Sequence, residues 1–492
     1  MTETQRKVGL LVCLVTIVLA ILDLQIVSAA TVPIVRDLDP GHGIASIPWL
    51  VSAYALASAA MLPLYGKLCD VVGPRRVFTG AVAVFLVGSA LCGAAQSMGQ
   101  LIAARAVQGL GGGGLMSVTM VVIAHLRGPG DQGGGKGATA GGLVSGAAMA
   151  VGPWVGGLLA DHASWRWIFY VNLPVGLAVL VGSAVALRLP ERHVRRPLDW
   201  TGAALAAVFS SSLLLVTDWG GDRYPWSSPV VLALVATTAL ALALFVRRQL
   251  SAPEPVLPLS LFRIRELRLG FGVQAVLGAA MTGAVYYTLV YLQVVRGIAS
   301  SAAALHLVPM ALGLAVSGAL TGPLAARGWT ARTSAIAGTA TASAAFALLA
   351  LTTGPDTSLW LIRAELALMG AGFGQLLGQL VVLVQDAAPA GRLGVATTSV
   401  RYFQTLGTAL GTALFGTVLT RLYAEHGPGG GVTALSKLTG AARADGMRAF
   451  VDATDVVFWS GAALMALATV MSLRLPRTPA RAPGRSGDPV AA

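Results

Sequence analysis

Arg105, Arg363 and Arg401 lie within apolar runs, and three ionisable residues of such runs could do chemistry. Asp23 interrupts the run Ile17-Val18-Leu19-Ala20-Ile21-Leu22-Asp23-Leu24-Gln25-Ile26-Val27, Arg105 falls inside a second apolar run, and Glu365 sits two residues after Arg363 in a third. A carboxylate at bilayer depth costs about 2.5–3.5 kcal/mol on insertion scales, so it must face a cavity or a partner. Two chemistries suit Asp23: a helix-packing acid held neutral or hydrogen-bonded, and a proton-binding site. At 1.5 Å per residue Asp23 lies about 21 Å into its run, and Arg105, near the outer end of its own, reaches a similar level. The expectation is that Arg105 pairs with ionised Asp23 and that a proton releases the pair. Glu365 carries two open readings, a second proton site and a local ion pair at a helix end.

Fourteen apolar runs position these groups, over about 8–32, 46–66, 77–96, 100–123, 138–160, 168–188, 199–218, 229–246, 269–293, 303–325, 332–352, 358–384, 394–420 and 454–474. The 492 residues are 55% hydrophobic and 11% charged, with a mean hydropathy of +0.74; a soluble protein carries about 25% charge. Continuous rather than alternating runs argue for helices over strands, so the fold class is an all-α polytopic membrane protein. No cleavable leader is expected, because the first run is too long for a signal-peptide core. The net charge of +13 does not mark a nucleic-acid binder: the basic residues gather in short loops on the N-terminal side, which places both termini in the cytoplasm of a cell-membrane protein. Cys13, Cys69 and Cys92 have neither disulfide nor metal-ligand spacing. The Gly-Pro-Gly stretch near 427–431 reads as a mobile external loop, 435–451 as a short surface helix, and 476–492 as a disordered cytoplasmic tail.

Between the second and third runs stands Gly66-Lys67-Leu68-Cys69-Asp70-Val71-Val72-Gly73-Pro74-Arg75-Arg76. Gly66 and Gly73 permit close helix approach and a tight turn. Asp70 is placed to accept hydrogen bonds from helix ends and from Arg75 and Arg76, a conformational latch that opening must break; the alternative is an ordinary charged loop. This pattern resembles the loop motif of the major facilitator superfamily. Leu101 to Arg105 with Gln108-Gly109-Leu110-Gly111 resembles that superfamily's helix-4 motif. Gly152-Pro153-Trp154-Val155-Gly156-Gly157 resembles its antiporter motif, with Ala148 in place of an upstream glycine. Trp165-Arg166-Trp167 through Asn172-Leu173-Pro174-Val175-Gly176, and Leu22-Asp23, are similar to hallmarks of the fourteen-span drug:proton antiporter branch, with Gln25 and Ser28 in place of the commoner Thr and Asn.

The resemblance implies two six-helix bundles, residues 1–190 and 251–475, with two extra central helices in 191–250. It implies a transporter rather than an enzyme: a monomeric proton-coupled antiporter, without cofactor or resident metal, that exports hydrophobic drugs or antibiotics across the bilayer by alternating access. A same-fold carrier of one metabolite and a non-transporting sensor or scaffold are the other readings. Proton coupling then falls to Asp23, Arg105 and Glu365. Mid-run polar and aromatic residues, Gln25, Tyr54, Gln274, Tyr286, Tyr287, Gln375, Gln379, Phe403 and Gln404, form a candidate amide- and aromatic-lined pocket, though each alone also suits helix packing. The GxGxxG-like string at Gly109–Gly114 and the GxxxxGK-like string ending at Lys136 follow no strand, and no nucleotide site is expected.

Overall fold

In hydrocarbon the backbone has only itself to bond to, so unbroken runs of Leu, Val, Ala and Ile close into helices. The computed structural model describes residues 2–29, 31–38, 47–126, 158–159, 164–187, 197–221, 223–298, 300–427 and 440–476. The long helices are α1 (Glu3–Ala29), α2 (Ile47–Val71), α3 (Pro74–Ala94), α4 (Met98–Leu126), α5 (Asn172–Ala186), α6 (Trp200–Trp219), α7 (Pro229–Ser251), α8 (Arg265–Val294), α9 (Val308–Ala326), α10 (Ala331–Thr352), α11 (Leu359–Ala387), α12 (Leu393–His426) and α13 (Gly440–Leu473). A short helix, Thr31–Leu38, follows α1.

Twelve of these helices are long and apolar enough to cross a membrane, and each coincides with one of the fourteen expected spans. The expected span 394–420 is α12, whose Thr, Gln and Arg residues make it too polar to join that set. The expected span 138–160 falls almost wholly outside the described residues, as does the tail beyond 476. The surface helix expected at 435–451 is not separate: from Gly440 the chain runs without a break to Leu473, because Phe450, Val451 and Ala453 are buried with the rest of α13.

Helices α1 to α5 pack around Phe78, Phe85, Leu115 and Val118, and helices α8 to α13 around Phe346, Phe373, Phe415 and Phe458. Helix α4 carries four consecutive glycines, a poor helix former in water. Here they sit where neighbours arrive closest: a methyl on Gly111 would strike the backbone of Phe85, and one on Gly112 the Tyr54 hydroxyl. Between the two sets lies α6. Ser52 of α2 donates to Asp218 of α6 at 3.1 Å, and Ser210 of α6 meets Tyr402 of α12 at 2.9 Å. Helix α7 packs on α6 and turns Leu232, Val235, Leu240 and Leu250 outward. Within α8, Gly283–Tyr287 winds as a π-helix, a local widening that recurs at functional sites.

Candidate functional site

Helices α1, α3, α4 and α5 bring one acid and its donors together inside the N-terminal set. Asp23 and Arg105 are each 1% exposed. Arg105 Nη1 donates to Asp23 Oδ2 at 3.0 Å and to Gln108 Oε1 at 2.6 Å. Gln108 Nε2 and Asn172 Nδ2 both donate to Asp23 Oδ1, at 2.7 and 2.8 Å. Ser89 accepts from Asn172 at 3.0 Å and passes its own proton to the Phe169 carbonyl at 2.9 Å. Arg105 Nε reaches the Leu50 carbonyl at 3.0 Å, and the guanidinium lies over the Tyr54 ring, 4.5 Å from its centroid. Three donors therefore face the charged carboxylate, the arrangement that makes a buried ion tolerable.

The sequence paired Asp23 with Arg105 and put Gln108 and Asn172 in motifs, but gave neither of them, nor Ser89, a part in the Asp23 site. Gln108 was legible in principle, since at i+3 from Arg105 it shares the same helix face. Ser89 and Asn172 come from other helices, and only the packing of α3 and α5 on α1 places them. The rest of the Trp165-Arg166-Trp167 motif serves the chain just beyond α1. Arg166 Nη1 binds Asp37 Oδ2 at 2.6 Å, Trp165 Nε1 donates to the same oxygen at 3.0 Å, and Arg166 Nη2 holds the Ala95 carbonyl at 3.1 Å. The hydrogen bond from Arg166 holds the Asp37 carboxyl below its usual range.

At the end of the bundle bearing the 66–76 loop, the two helix sets are latched. Asp70 Oδ1 accepts from the Gly394 amide at 2.6 Å and Oδ2 from the Val395 amide at 3.0 Å. A carboxylate from one set thus occupies the N-terminus of α12 in the other, where unpaired amides and the helix dipole favour a negative charge. Gly66 lets α2 approach this closely, because a side chain there would meet Thr398 and Val395. Gly73, at φ 100°, makes the turn into α3. Arg75 caps the end of α5 by donating to the Ala184 carbonyl at 3.0 Å. Lys67 binds Glu254 at 2.5 Å, and Gln385 of α11 donates to the Met120 carbonyl of α4 at 3.1 Å.

The remaining expected residues divide. Tyr54 belongs to the Asp23 network. Glu365 is 3% exposed and stands apart in the C-terminal set, with Oε1 accepting from Thr352 at 2.7 Å and Oε2 without a partner among the described residues. Of its two readings, a local ion pair at a helix end finds no partner in Arg363: residues two apart leave a helix in different directions, and Arg363 meets His306 at 3.3 Å and the Trp360 ring instead. Phe403 stacks on Phe271 at 5.2 Å, and Tyr287 is buried against Phe415. Tyr286 is 55% exposed; Gln274 and Gln379 are buried, and Gln375 is half-buried beside Gly338 of α10. Gln404 accepts from Arg401 at 2.7 Å. Gly152, Pro153, Gly156 and Gly157 lie outside the described residues, as does the side chain of Gln25.

The sequence model described as the Major Facilitator Superfamily matches residues 13–412. The chain belongs to the Major Facilitator Superfamily. Major Facilitator proteins are transporters rather than enzymes, and this chain is a multi-pass membrane member of them. It is similar to an uncharacterized MFS-type transporter of Mycobacterium tuberculosis, at 35% identity over 75% of this chain and 53% of that protein; it spans about half that relative's length. It is also similar to the multidrug transporter protein MdtP of Bacillus subtilis, at 30% identity over 85% of this chain and 76% of the relative. Among solved structures, the human organic anion transporter MFSD10 superposes with a TM-score of 0.62 at 14% identity, over 96% of this chain and all of that one, a likeness of Major Facilitator fold alone.

Proposed function

We propose that this transporter is a proton-coupled antiporter that exports hydrophobic drugs or natural products across the cytoplasmic membrane by alternating access. The reading rests on one observation: a carboxylate at membrane depth, fully buried, paired to an arginine and ringed by amide donors that a single proton would release. The names of several relatives, multidrug or efflux proteins, support the substrate class. Fourteen spans, two six-helix halves at 1–190 and 251–475, a helix pair inserted in 191–250, a monomeric state and cytoplasmic termini complete the proposal.

In the latched state Asp23 is ionised, and the Asp70–α12 contact closes the cytoplasmic end. Protonation of Asp23 loosens Arg105 from α1, and because Arg105 also grips Leu50 and Tyr54, the change reaches α2, the helix that carries Gly66 and Asp70. One proton moving down 100 mV releases about 2.3 kcal/mol, roughly a 50-fold concentration ratio. The test is drug-evoked proton movement in liposomes holding an internal pH dye. Loss of that movement in Asp23→Asn, with Glu365→Gln retaining it, supports coupling through Asp23. Movement unchanged in Asp23→Asn removes the assignment and passes it to Glu365. No response to any drug from folded wild type favours a dedicated metabolite carrier.

A further inference from the structure

Arg401 is a second cation at membrane depth, and the Asp23 network makes no use of it. It lies eight residues into α12 from Leu393, about 12 Å from the latched end. One turn earlier the Thr398 hydroxyl sits against Gly66 of α2, so Arg401 shares the face that α12 turns toward the N-terminal set. There it stands within electrostatic reach of Tyr54. It is half-buried, and its guanidinium's one hydrogen-bond partner among the described residues is Gln404, a neutral amide on its own helix.

A cation held at this depth calls for a counter-charge, and the described residues supply none. Among the described residues no carboxylate lies within 4 Å of Arg401, and Asp23 is already taken by Arg105. The other acidic residues, Asp39, Asp131, Asp161, Glu191, Asp222 and Asp488, fall between the expected spans or in the tail. One nitrogen of Arg401 serves Gln404, which leaves the rest of its five-donor fork open. The Tyr54 hydroxyl, lying against Gly112, makes no hydrogen bond among the described residues either. A planar guanidinium on the face that α12 turns toward the N-terminal set, with a phenolic donor within its electrostatic reach, suits a carboxylate in both geometry and charge.

We propose that Arg401 and Tyr54 form an anion seat between the two halves, and that the exported molecule is a hydrophobic acid carrying a carboxylate. This rests on the exporter reading and names its substrate class. The seat joins α12 to a ring already stacked under Arg105, so an anion bound there sits one residue away from the proton site. That adjacency couples the two: ionised Asp23 keeps Arg105 neutralised, and protonated Asp23 leaves two cations to hold one anion.

The experiment uses the full chain in lipid nanodiscs, with empty discs subtracted, and three probes on one scaffold: 1-pyrenebutyrate, 1-pyrenebutanol and pyrenebutyl-trimethylammonium. The expected result is binding of pyrenebutyrate at least ten-fold tighter than either other probe. Arg401→Gln should erase that preference with pyrenebutanol affinity unchanged, and Arg401→Lys should keep part of it. Equal affinity for all three probes, tighter binding of the cation, no binding of any probe, or a uniform loss in both Arg401 variants would each overturn the seat. Efflux of the same probes from liposomes under a pH gradient separates the two readings. A carboxylate preference without efflux leaves the seat standing and removes the exporter; efflux of the alcohol or the cation in preference does the reverse.

Discussion

Replacing Arg105 with Met, which keeps its apolar stem, strips the Asp23 site of its only charge partner among the described residues. The structure sets the size of the effect. Asp23 keeps the Gln108 and Asn172 donors, but Gln108 loses the 2.6 Å bond that holds its amide in place, and the Leu50 carbonyl loses its side-chain donor. An ordinary interhelical hydrogen bond in a membrane is worth about 0.6 kcal/mol, so two lost bonds would account for little more than about 1 kcal/mol. Orphaning one member of a buried ion pair costs about 3–5 kcal/mol, and this second term should dominate. Asp23→Asn restores neutrality, so the double variant should be more stable than Arg105→Met alone. The assay is a double-mutant cycle on reversible denaturant unfolding in detergent micelles, followed by tryptophan fluorescence. A coupling energy above about 2 kcal/mol is expected. Additivity within about 0.5 kcal/mol would refute the view that Asp23 and Arg105 form one charge-compensated unit.

Other outcomes follow from the same geometry. Asp70→Asn keeps a carbonyl for one of the two α12 amides but loses the charge, which should weaken the latch by about 2 kcal/mol, roughly 30-fold in the open population. In a Cys13→Ser, Cys92→Ser background, Cys69, now buried against Gly394, should then react with a maleimide correspondingly faster; an unchanged rate would count against the latch. Gly66→Leu should block the closed state altogether, so that cysteine labelling stays fast and transport is lost, while α-helix content by circular dichroism is kept. The Asp37–Arg166 clamp has a defined pH window. Because the Asp37 carboxyl is depressed, its contribution is complete above the ordinary carboxylate range, near about 4, and fades only as pH falls below it. The stability difference between wild type and Asp37→Asn should therefore be constant from pH 7 to 5 and shrink in stronger acid; a difference that vanishes near neutrality would contradict the Arg166 contact.

Much of this was legible in one dimension, because a bilayer reduces the fold problem to length and hydropathy. A run such as Pro229–Ser251 must be a helix wherever it packs, since no other structure satisfies its backbone in lipid. Charge is so costly at depth that Asp23 and Arg105 identified themselves, and their levels followed from a fixed rise per residue. What the linear chain does not carry is azimuth. Gln108 lay three residues from Arg105 in plain view, yet whether its amide faced Asp23 depended on how α4 rotates against α1. Ser89 and Asn172 joined the site only when α3 and α5 docked. Phe403 and Tyr287 read as pocket residues because aromatic rings suit both a pocket and a core, and tertiary packing put both against other rings. The Asp70 latch needed the start of α12 brought more than three hundred residues back along the chain. Arg401 shows the division most plainly. The sequence placed it in a span, and only the packing of α12 on α2 turned it toward the N-terminal set, within electrostatic reach of Tyr54 and with no acid among the described residues beside it.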